Sequence, residues 1–532
     1  MKKGRILLMS PNLRGLQDGI IRIQPGLGIG YVAAVARQMG HEVFVRDTAL
    51  EGYDKVSAID DRTIGVGESD KDIADYISNV HPDVLGISVL FSNLIDSGHN
   101  IARIAKEVNP KIKVIIGGNH VSNASLDFIV AQDPTSGLPK RFPDIENKNV
   151  DYAMRGEVDF LSGELFDAII NERDPTNIDG LIFKKKEHTG PKVEGQKVIK
   201  LNNQESIFIN KKTKVANLTS LPSPARDLMN MEGYFKIARF HSAKSKSDRV
   251  LNVMCSRGCP EHCTFCTTPE QFGQTVRWRD PQNIYNEIKW GIDNLKIGEV
   301  QFEDDSLTAH RVNLEKLCTL IEPLGILWCT PNGTKVNYQQ GGGMEGGVFK
   351  KQLEMYKRMK ASGCYSITLA CESGSQRVLD KIIGKRLNLE DVAPAIEAAK
   401  KADLYVHTFW VVGFPGETRE EMEQTIEFAK KTGADSYSLA ILSPLPGTPI
   451  YHQVMREKLW WNQEDNLEHL MYRNSLVKVD GFKDGVEFQR WVDTKQKELN
   501  LLLKIKDPKK FEDNYSRGGR ILIEDKNLLR QG

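Results

Sequence analysis

The strongest constraint on this chain is that it alternates strand-like and helix-like patterns, twice over. In the first series RILLMS (5–10), EVFVRD (42–47), VLGISVL (84–90) and KVIIGG (113–118) are short apolar runs of strand length. Between them Ile73, Tyr76, Ile77 and Val80 recur at helical spacing, as do Ile101, Ile104, Ala105 and Val108. Strands separated by helices return to the same end of a sheet and lie parallel, and such a sheet is covered on both faces. DYAMRGEVDFLSGELFDAI (151–169) reads as a last strand and helix closing a domain over 1–174.

Residues 175–245 change character. They are rich in Lys, Asn, Gly and Pro, with strand-like pieces LIF and KVIKL and the segment LPSPARDL (221–228), and read as a β-containing connector. A second alternating series spans 246–450. Its strands are VLNVMC (250–255), EVQFEDD (299–305), LWCTPNG (327–333), SITLACES (366–373), YVHTFWVVGF (405–414) and SYSLAIL (436–442). Leu314, Leu317, Cys318 and Ile321, then Met422, Thr425, Ile426 and Ala429, give helical faces between them. Six strand–helix units imply a partial (β/α)6 barrel with its site at the strand C-termini. QQGGGMEGG (339–347) reads as a flexible loop. Residues 451–532 read as a polar helical extension whose last twenty or so residues are expected to be disordered.

Charge narrows the partners. Lys+Arg number 72 and Asp+Glu 71, so no polyanion such as nucleic acid is expected. No run of about eighteen apolar residues suggests a membrane span. MKKGRILLMSPN is too short for a signal peptide and reads as the first strand, so a cytoplasmic protein with reduced thiols is expected.

Those thiols are unevenly spread. Of 8 cysteines, four fall within CSRGCPEHCTFC (255–266), directly after a strand. A structural zinc site could use four thiolates but usually draws two close pairs from distant segments. An iron–sulfur cluster is larger, and one loop can wrap it, although the ferredoxin order C-x2-C-x2-C-x3-C-P is not present. The spacing that is present is C-x3-C-x2-C: Cys259, Cys263 and Cys266. With Phe265 before the last cysteine, this loop resembles the signature of the radical S-adenosylmethionine (SAM) enzymes. The resemblance implies that the three thiolates hold a [4Fe–4S] cluster. It also implies that SAM chelates the fourth iron and is cleaved to a 5′-deoxyadenosyl radical. Cys255, Cys318, Cys329, Cys364 and Cys371 read as buried structural residues.

The same resemblance assigns roles along the later strands. Glu303, Asp304 and Asp305 end the second strand, where the family places groups that meet the SAM amine. An ionised carboxylate only accepts hydrogen bonds, which suits an ammonium. Glu372 and Ser373 in CESGS would meet the ribose and carboxylate. Gly413 in VVGFPGET would lie against the adenine, and SPLPGTPIY (443–451) resembles the tail of the sixth strand. Arg257, Arg277 and Arg279 read as structural or surface ion pairs.

In the front domain PGLGIG (25–30) lacks the G-x-G-x-x-G spacing after the first strand, so a dinucleotide site is weakly supported. Ser88-Val89-Leu90, followed after twenty-six residues by Gly117-Gly118, is similar to the S-x-L and GG elements of cobalamin-binding domains. Gly26, Gly28 and Gly30 are similar to the helix start of such domains. The resemblance implies a Rossmann-like, cobalamin-binding fold; the plain alternative is that the glycine pair only makes a tight turn. No D-x-H-x-x-G element occurs, and His41, His81, His99 and His120 stand in other contexts, so no cobalt-ligating histidine is expected.

Together these features resemble the cobalamin-binding radical SAM enzymes, and within them the phosphonate C-methyltransferase branch of fosfomycin biosynthesis. LEGY (50–53), ISVLFSN (87–93), SRGCPEHCTFCTT (256–268), CTPNGT (329–334), CESGSQRVL (371–379) and KRLNLE (385–390) carry that likeness. It implies an enzyme that moves a methyl group from methylcobalamin to an unactivated carbon of a small molecule, fed by an electron donor such as flavodoxin or ferredoxin. Two other readings remain at this stage: a cyclase or mutase that uses both cofactors without methyl transfer, and a non-catalytic corrinoid-binding protein. No residue is singled out as catalytic.

Overall fold

In RILLMS, Ile6 and Leu8 point to one side of the strand and Leu7 and Met9 to the other, and all four are buried. That arrangement requires an apolar layer on each face of the sheet. A computed structural model describes residues 2–17, 19–124, 148–186, 193–200, 205–242, 244–337, 347–462 and 467–506. Among these the chain divides into two units, one ending at Arg239 and the other beginning at Phe240.

The first unit is built on strands β1 (Arg5–Ser10), β2 (Glu42–Asp47), β3 (Val84–Ser88), β4 (Lys113–Gly117), β5 (Tyr152–Met154), β6 (Leu181–Lys186), β7 (Lys197–Lys200) and β8 (Glu205–Ile209). Their order is β7-β8-β6-β5-β4-β3-β1-β2. β1 to β5 run parallel, and β6, β8 and β7 add an antiparallel edge. Helices α1 (Leu27–Gln38) and α4 (Asp159–Ile170) cover one face, and α2 (Asp70–Val80) and α3 (Ile95–Val108) the other. The antiparallel strands fall in the segment that the sequence reads as a connector. Alternation is visible there, since Ile207 joins one apolar layer and Phe208 the other. A small sheet of Leu13–Leu16, Thr63–Val66 and Val56–Ala58 was not foreseen; its strands are too short for a clear period.

The second unit is a six-stranded parallel sheet, β9 (Val250–Val253), β10 (Glu299–Phe302), β11 (Leu327–Lys335), β12 (Cys364–Glu372), β13 (Tyr405–Val412) and β14 (Ser436–Ile441). Spatial order follows chain order, as strand–helix repeats of one hand dictate. Helices α5 (Pro281–Trp290), α6 (Arg311–Ile321), α7 (Gly347–Ala361), α8 (Val392–Lys401) and α9 (Arg419–Lys431) connect the strands. α6 buries Leu314, Leu317, Cys318 and Ile321, the stripe read from its spacing.

The last strand needs a cover for its open edge. The C-terminal helix α10 (Gly485–Lys506) supplies part of it: Gln496 accepts from the Leu439 amide at 2.7 Å and donates to the Tyr437 carbonyl at 3.3 Å. The Ile441 amide is taken by the Tyr472 carbonyl. QQGGGMEGG, apart from its final glycine, and the last twenty residues lie outside the described residues. No described helix is long and apolar enough to cross a membrane.

Candidate functional site

The cysteine loop is closed at its base by a two-residue antiparallel pair, Ser256 opposite Trp278 and Arg257 opposite Arg277. Asp304, at the end of β10, fastens that base. Its carboxylate accepts from the Cys255 amide (3.0 Å), the Ser256 amide (2.5 Å) and the Ser256 hydroxyl (2.5 Å). Further round, Thr264 donates from its amide to the Ile383 carbonyl and from its hydroxyl to the Ile382 carbonyl. The Ile450 amide in turn bonds the Thr264 carbonyl. Glu261 is paired with Lys335 at 2.8 Å and Arg386 at 3.2 Å. Phe265 meets Phe414 edge-on, with ring centroids 5.7 Å apart, so the aromatic packs the loop against the end of β13.

Within this frame Cys259 and Cys266 both help to raise the Cys263 pKa, and Cys259 helps to raise that of Cys266. Burial is the larger cause: it pushes Cys263 up to about 12 and Cys266 up to about 11, and raises Cys259 as well. Left to themselves these thiols stay protonated, and a bound cation reverses that preference. Among the described residues no three His, Cys, Asp or Glu side chains close on one point as ligands of a single ion do. Thiolates on a polynuclear cluster bind separate irons and need not converge so tightly. The donor set, three thiols on one loop in C-x3-C-x2-C order, is consistent with an iron–sulfur cluster.

The other strand ends divide between groups saturated by the protein and one that is not. Asp304 is fully occupied, and burial raises it to about 7. Asp305, raised by burial to about 6, accepts from the Thr268 hydroxyl at 3.0 Å. Ser373, read as a SAM contact, is completely buried and turned to Thr425 and the Ser375 amide. Gly413, read as an adenine contact, has φ 89°, and a β-carbon there would lie 2.7 Å from the Phe488 ring of α10. Its amide donates to Glu417 at 2.7 Å. Glu372 sits at φ 67°, a left-handed conformation that a non-glycine residue adopts under strain. Its carboxylate holds Lys385 at 2.9 Å, and Lys385 also donates to the Ala370 carbonyl. Burial opposes the Lys385 charge, but Glu372 and the Cys263 sulfur outweigh it and raise its pKa.

Glu303 differs. Oε2 is held by His241 Nδ1 at 2.8 Å and more loosely by Asn332 Nδ2 at 3.4 Å, whereas Oε1 is buried with no hydrogen-bond partner among the described residues. Asn332 also donates to the Glu303 carbonyl at 2.9 Å, from a stretch where the β11–β12 register shifts between Thr330 and Thr334. A free, buried carboxylate oxygen at the mouth of the sheet fits the SAM ammonium.

His241 belongs to a segment that crosses the inward face of the sheet. The Ser242 amide donates to Gln301 at 3.0 Å and Gln301 to the Ser245 hydroxyl at 2.8 Å. The Lys246 and Ser247 amides bond Glu299. Lys244 reaches the far strands at Tyr405 and Ser436. His241, Ser242 and residues 244–247 are thus tied to the side chains of β10, β13 and β14. Sequence reasoning missed His241, Asn332 and Lys385. The only signal was Pro-Asn-Gly inside a strand, which marks an irregularity without saying what the Asn side chain meets.

In the first unit Ser88 and Gly117 are register partners at the C-terminal ends of β3 and β4. Among the described residues a β-carbon on Gly117 would meet only the Met154 carbonyl at 3.6 Å, and one on Gly28 would meet nothing within 4 Å. Gly26 is the N-cap of α1. Beyond Ser88, Leu90 and Phe91 are 52% and 57% exposed. Open glycines beside exposed apolar side chains at a strand-end edge suit a large ring system such as a corrin. Gly118 is different: at φ 108° its β-carbon would lie 2.4 Å from the Val89 carbonyl oxygen, so glycine is required there by the turn itself. His120 is buried with Nδ1 on Ser92 at 3.0 Å.

Comparison with known proteins agrees with both halves. A family model described as B12 binding domain matches residues 23–134, and one described as Radical SAM superfamily matches 253–429. The cytidylyl-2-hydroxyethylphosphonate methyltransferase of Streptomyces wedmorensis is 30% identical over 500 residues, covering 91% of this chain and 87% of that protein. The methyltransferase TsrM from Kitasatospora setae, solved with cobalamin and a [4Fe–4S] cluster, aligns at TM-score 0.58 and 14% identity over 84% of this chain and 74% of its own. The cobalamin-dependent SAM radical enzyme OxsB, solved with aqua-cobalamin and SAM, aligns at TM-score 0.65 and 13% identity over 97% of this chain and 70% of its own. The chain belongs to the cobalamin-binding radical SAM enzymes, whose cofactors are a [4Fe–4S] cluster, SAM and cobalamin.

Proposed function

We propose that this member of the cobalamin-binding radical SAM family is a C-methyltransferase that moves methyl from methylcobalamin to an unactivated carbon of a small molecule. The observation that carries the reading is a methyltransferase relative matched over nine-tenths of the chain, across both the B12-binding and the radical SAM region. When bound, the reduced cluster and SAM supply the 5′-deoxyadenosyl radical that takes the substrate hydrogen, and the corrinoid supplies the methyl group.

The chain's own residues have narrower tasks. Cys259, Cys263 and Cys266 hold the cluster, with Asp304 fastening the base of their loop and Phe265 packing its tip. Glu303 takes the SAM ammonium on its free oxygen. The Glu372–Lys385 pair keeps a buried charge balanced beside Cys263. His241, Ser242 and residues 244–247, anchored on Glu299, Gln301 and Glu303, brace the inner end of the site. Ser88, Leu90, Gly117, Gly26 and Gly28 form the corrinoid surface of the first unit. An electron donor of the flavodoxin or ferredoxin class, and a cytoplasmic setting with reduced thiols, go with this reading.

The test is anaerobic reconstitution with iron, sulfide and hydroxocobalamin, then product counting with cytidylyl-2-hydroxyethylphosphonate as the first candidate substrate. Methyl transfer gives S-adenosylhomocysteine and 5′-deoxyadenosine together. 5′-Deoxyadenosine alone, with a converted but unmethylated substrate, would replace the proposal with a cyclase or mutase. Corrinoid binding with no SAM cleavage under reducing conditions would leave a non-catalytic corrinoid protein.

A further inference from the structure

Three carboxylates end β10, and their surroundings separate them. Asp304 has both oxygens filled by Cys255 and Ser256, and Asp305 is bonded to Thr268. Of the three, only Glu303 combines one oxygen held from the side with one buried and without a hydrogen-bond partner among the described residues. The residue is 9% exposed, so solvent does not readily satisfy that oxygen. A buried acceptor left without a hydrogen bond is unfavourable, more so when it is charged, so something must keep the side chain from turning to satisfy it.

His241 does the preventing. A carboxylate cannot donate, so the 2.8 Å contact requires the proton to be on Nδ1, pointing at Oε2. Asn332 adds a weaker bond to the same oxygen and a 2.9 Å bond to the Glu303 carbonyl. The Glu303 amide is tied to the Val253 carbonyl of β9. Backbone and one carboxylate oxygen are thereby fixed, and Oε1 keeps a single direction.

We propose that His241 is a positioning residue for SAM: by holding Oε2 of Glu303 it presents Oε1 to the ammonium of the bound cosubstrate. This rests on the functional reading above and deepens it. Preorganised acceptors bind a charged donor without reorganising, which is why a residue touching no ligand can set affinity.

The experiment uses the full chain, anaerobically reconstituted, with His241→Asn and His241→Phe beside the parent. The asparagine amide can still donate near the place of Nδ1, whereas phenylalanine keeps ring volume without a donor. Equilibrium dialysis with radiolabelled SAM gives affinity, and iron and bound hydroxocobalamin are counted on the same samples. The phenylalanine variant should bind SAM about tenfold more weakly, the scale of one charge-assisted hydrogen bond. Its KM for SAM should rise in proportion, with kcat at saturating SAM, iron and corrinoid content near the parent's. The asparagine variant should recover most of the affinity. Equal SAM affinity in all three proteins, equal loss in both variants, or a fall in kcat alone would overturn the proposal. If the phenylalanine variant fails to load iron, His241→Leu takes its place under the same criteria. A parent that binds and cleaves SAM while the variants match it defeats the role of His241 alone. A parent that does neither defeats the functional reading instead.

Discussion

Both units present their candidate groups at the C-terminal ends of parallel strands, yet they furnish those ends in opposite ways. The first offers absence of side chain and open apolar surface: Gly117 and Gly28 with room in front of them, and Leu90 and Phe91 exposed. The second offers three thiols on one loop and buried carboxylates, the carboxylates fastened by hydrogen bonds from distant segments. The difference suits the proposed ligands. A corrin is broad and largely apolar, and is held by shape and contact area. A metal cluster and an ammonium are compact charges, held by ionised groups whose burial keeps their interactions strong.

If that division is real, the two ends should fail independently. Cys263→Ala is the largest expected effect. It should abolish cluster iron and 5′-deoxyadenosine formation while hydroxocobalamin still binds, as read from iron counts, product analysis and the corrinoid absorption spectrum. Continued 5′-deoxyadenosine production would break the ligand assignment, and concurrent loss of corrinoid would break the independence.

A smaller effect separates the adjacent glycines of the first unit. Gly117→Val should fold with iron content unchanged but lose hydroxocobalamin affinity about tenfold or more, because its side chain would occupy ligand space. Gly118→Val should instead lower thermal stability, by about 1–3 kcal/mol or more, since φ 108° and the Val89 carbonyl both oppose a β-carbon. Titration and melting curves distinguish the two. Equal behaviour would mean that both glycines serve the turn.

The smallest effect concerns charge burial in the second unit. Burial raises Glu417 to about 8, although the amides of Phe414 and Gly413 partly offset it. The folded value lies above the unfolded one, so the folded state holds the proton more tightly. Stability from this group is full below the ordinary glutamate value of 4.5, declines as pH rises through the window, and is gone above about 8. Glu417→Gln, neutral at every pH, should flatten that decline in melting temperature measured between pH 5 and 8.5. An unchanged slope would show that other groups carry it.

Much of this was legible in residue order. Period and length located the six strands of the second sheet and the stripes of α6 and α9. C-x3-C-x2-C pointed to the loop that the structure closes with the Ser256–Trp278 pair. The antiparallel edge of the first sheet was less legible, because LIFKKK and KVIKL offer few alternations before charge takes over. Gly413 and Ser373 read as SAM contacts from the family resemblance of VVGFPGET and CESGS. Phe488 and Thr425, the side chains packed at them, lie 75 and 52 residues away along the chain and could not be read from residue order.

The sequence alone determined the kind and order of the elements, and the clustering of three thiols after a strand, because hydrophobic period and short spacings are local properties of a chain. Tertiary structure alone decided which acid at the end of β10 keeps an oxygen free. In residue order Glu303, Asp304 and Asp305 are simply three consecutive acids. They part company only when His241, Ser256 and Thr268 arrive from elsewhere, since saturation of a buried polar atom depends on whatever donors folding brings within about 3 Å.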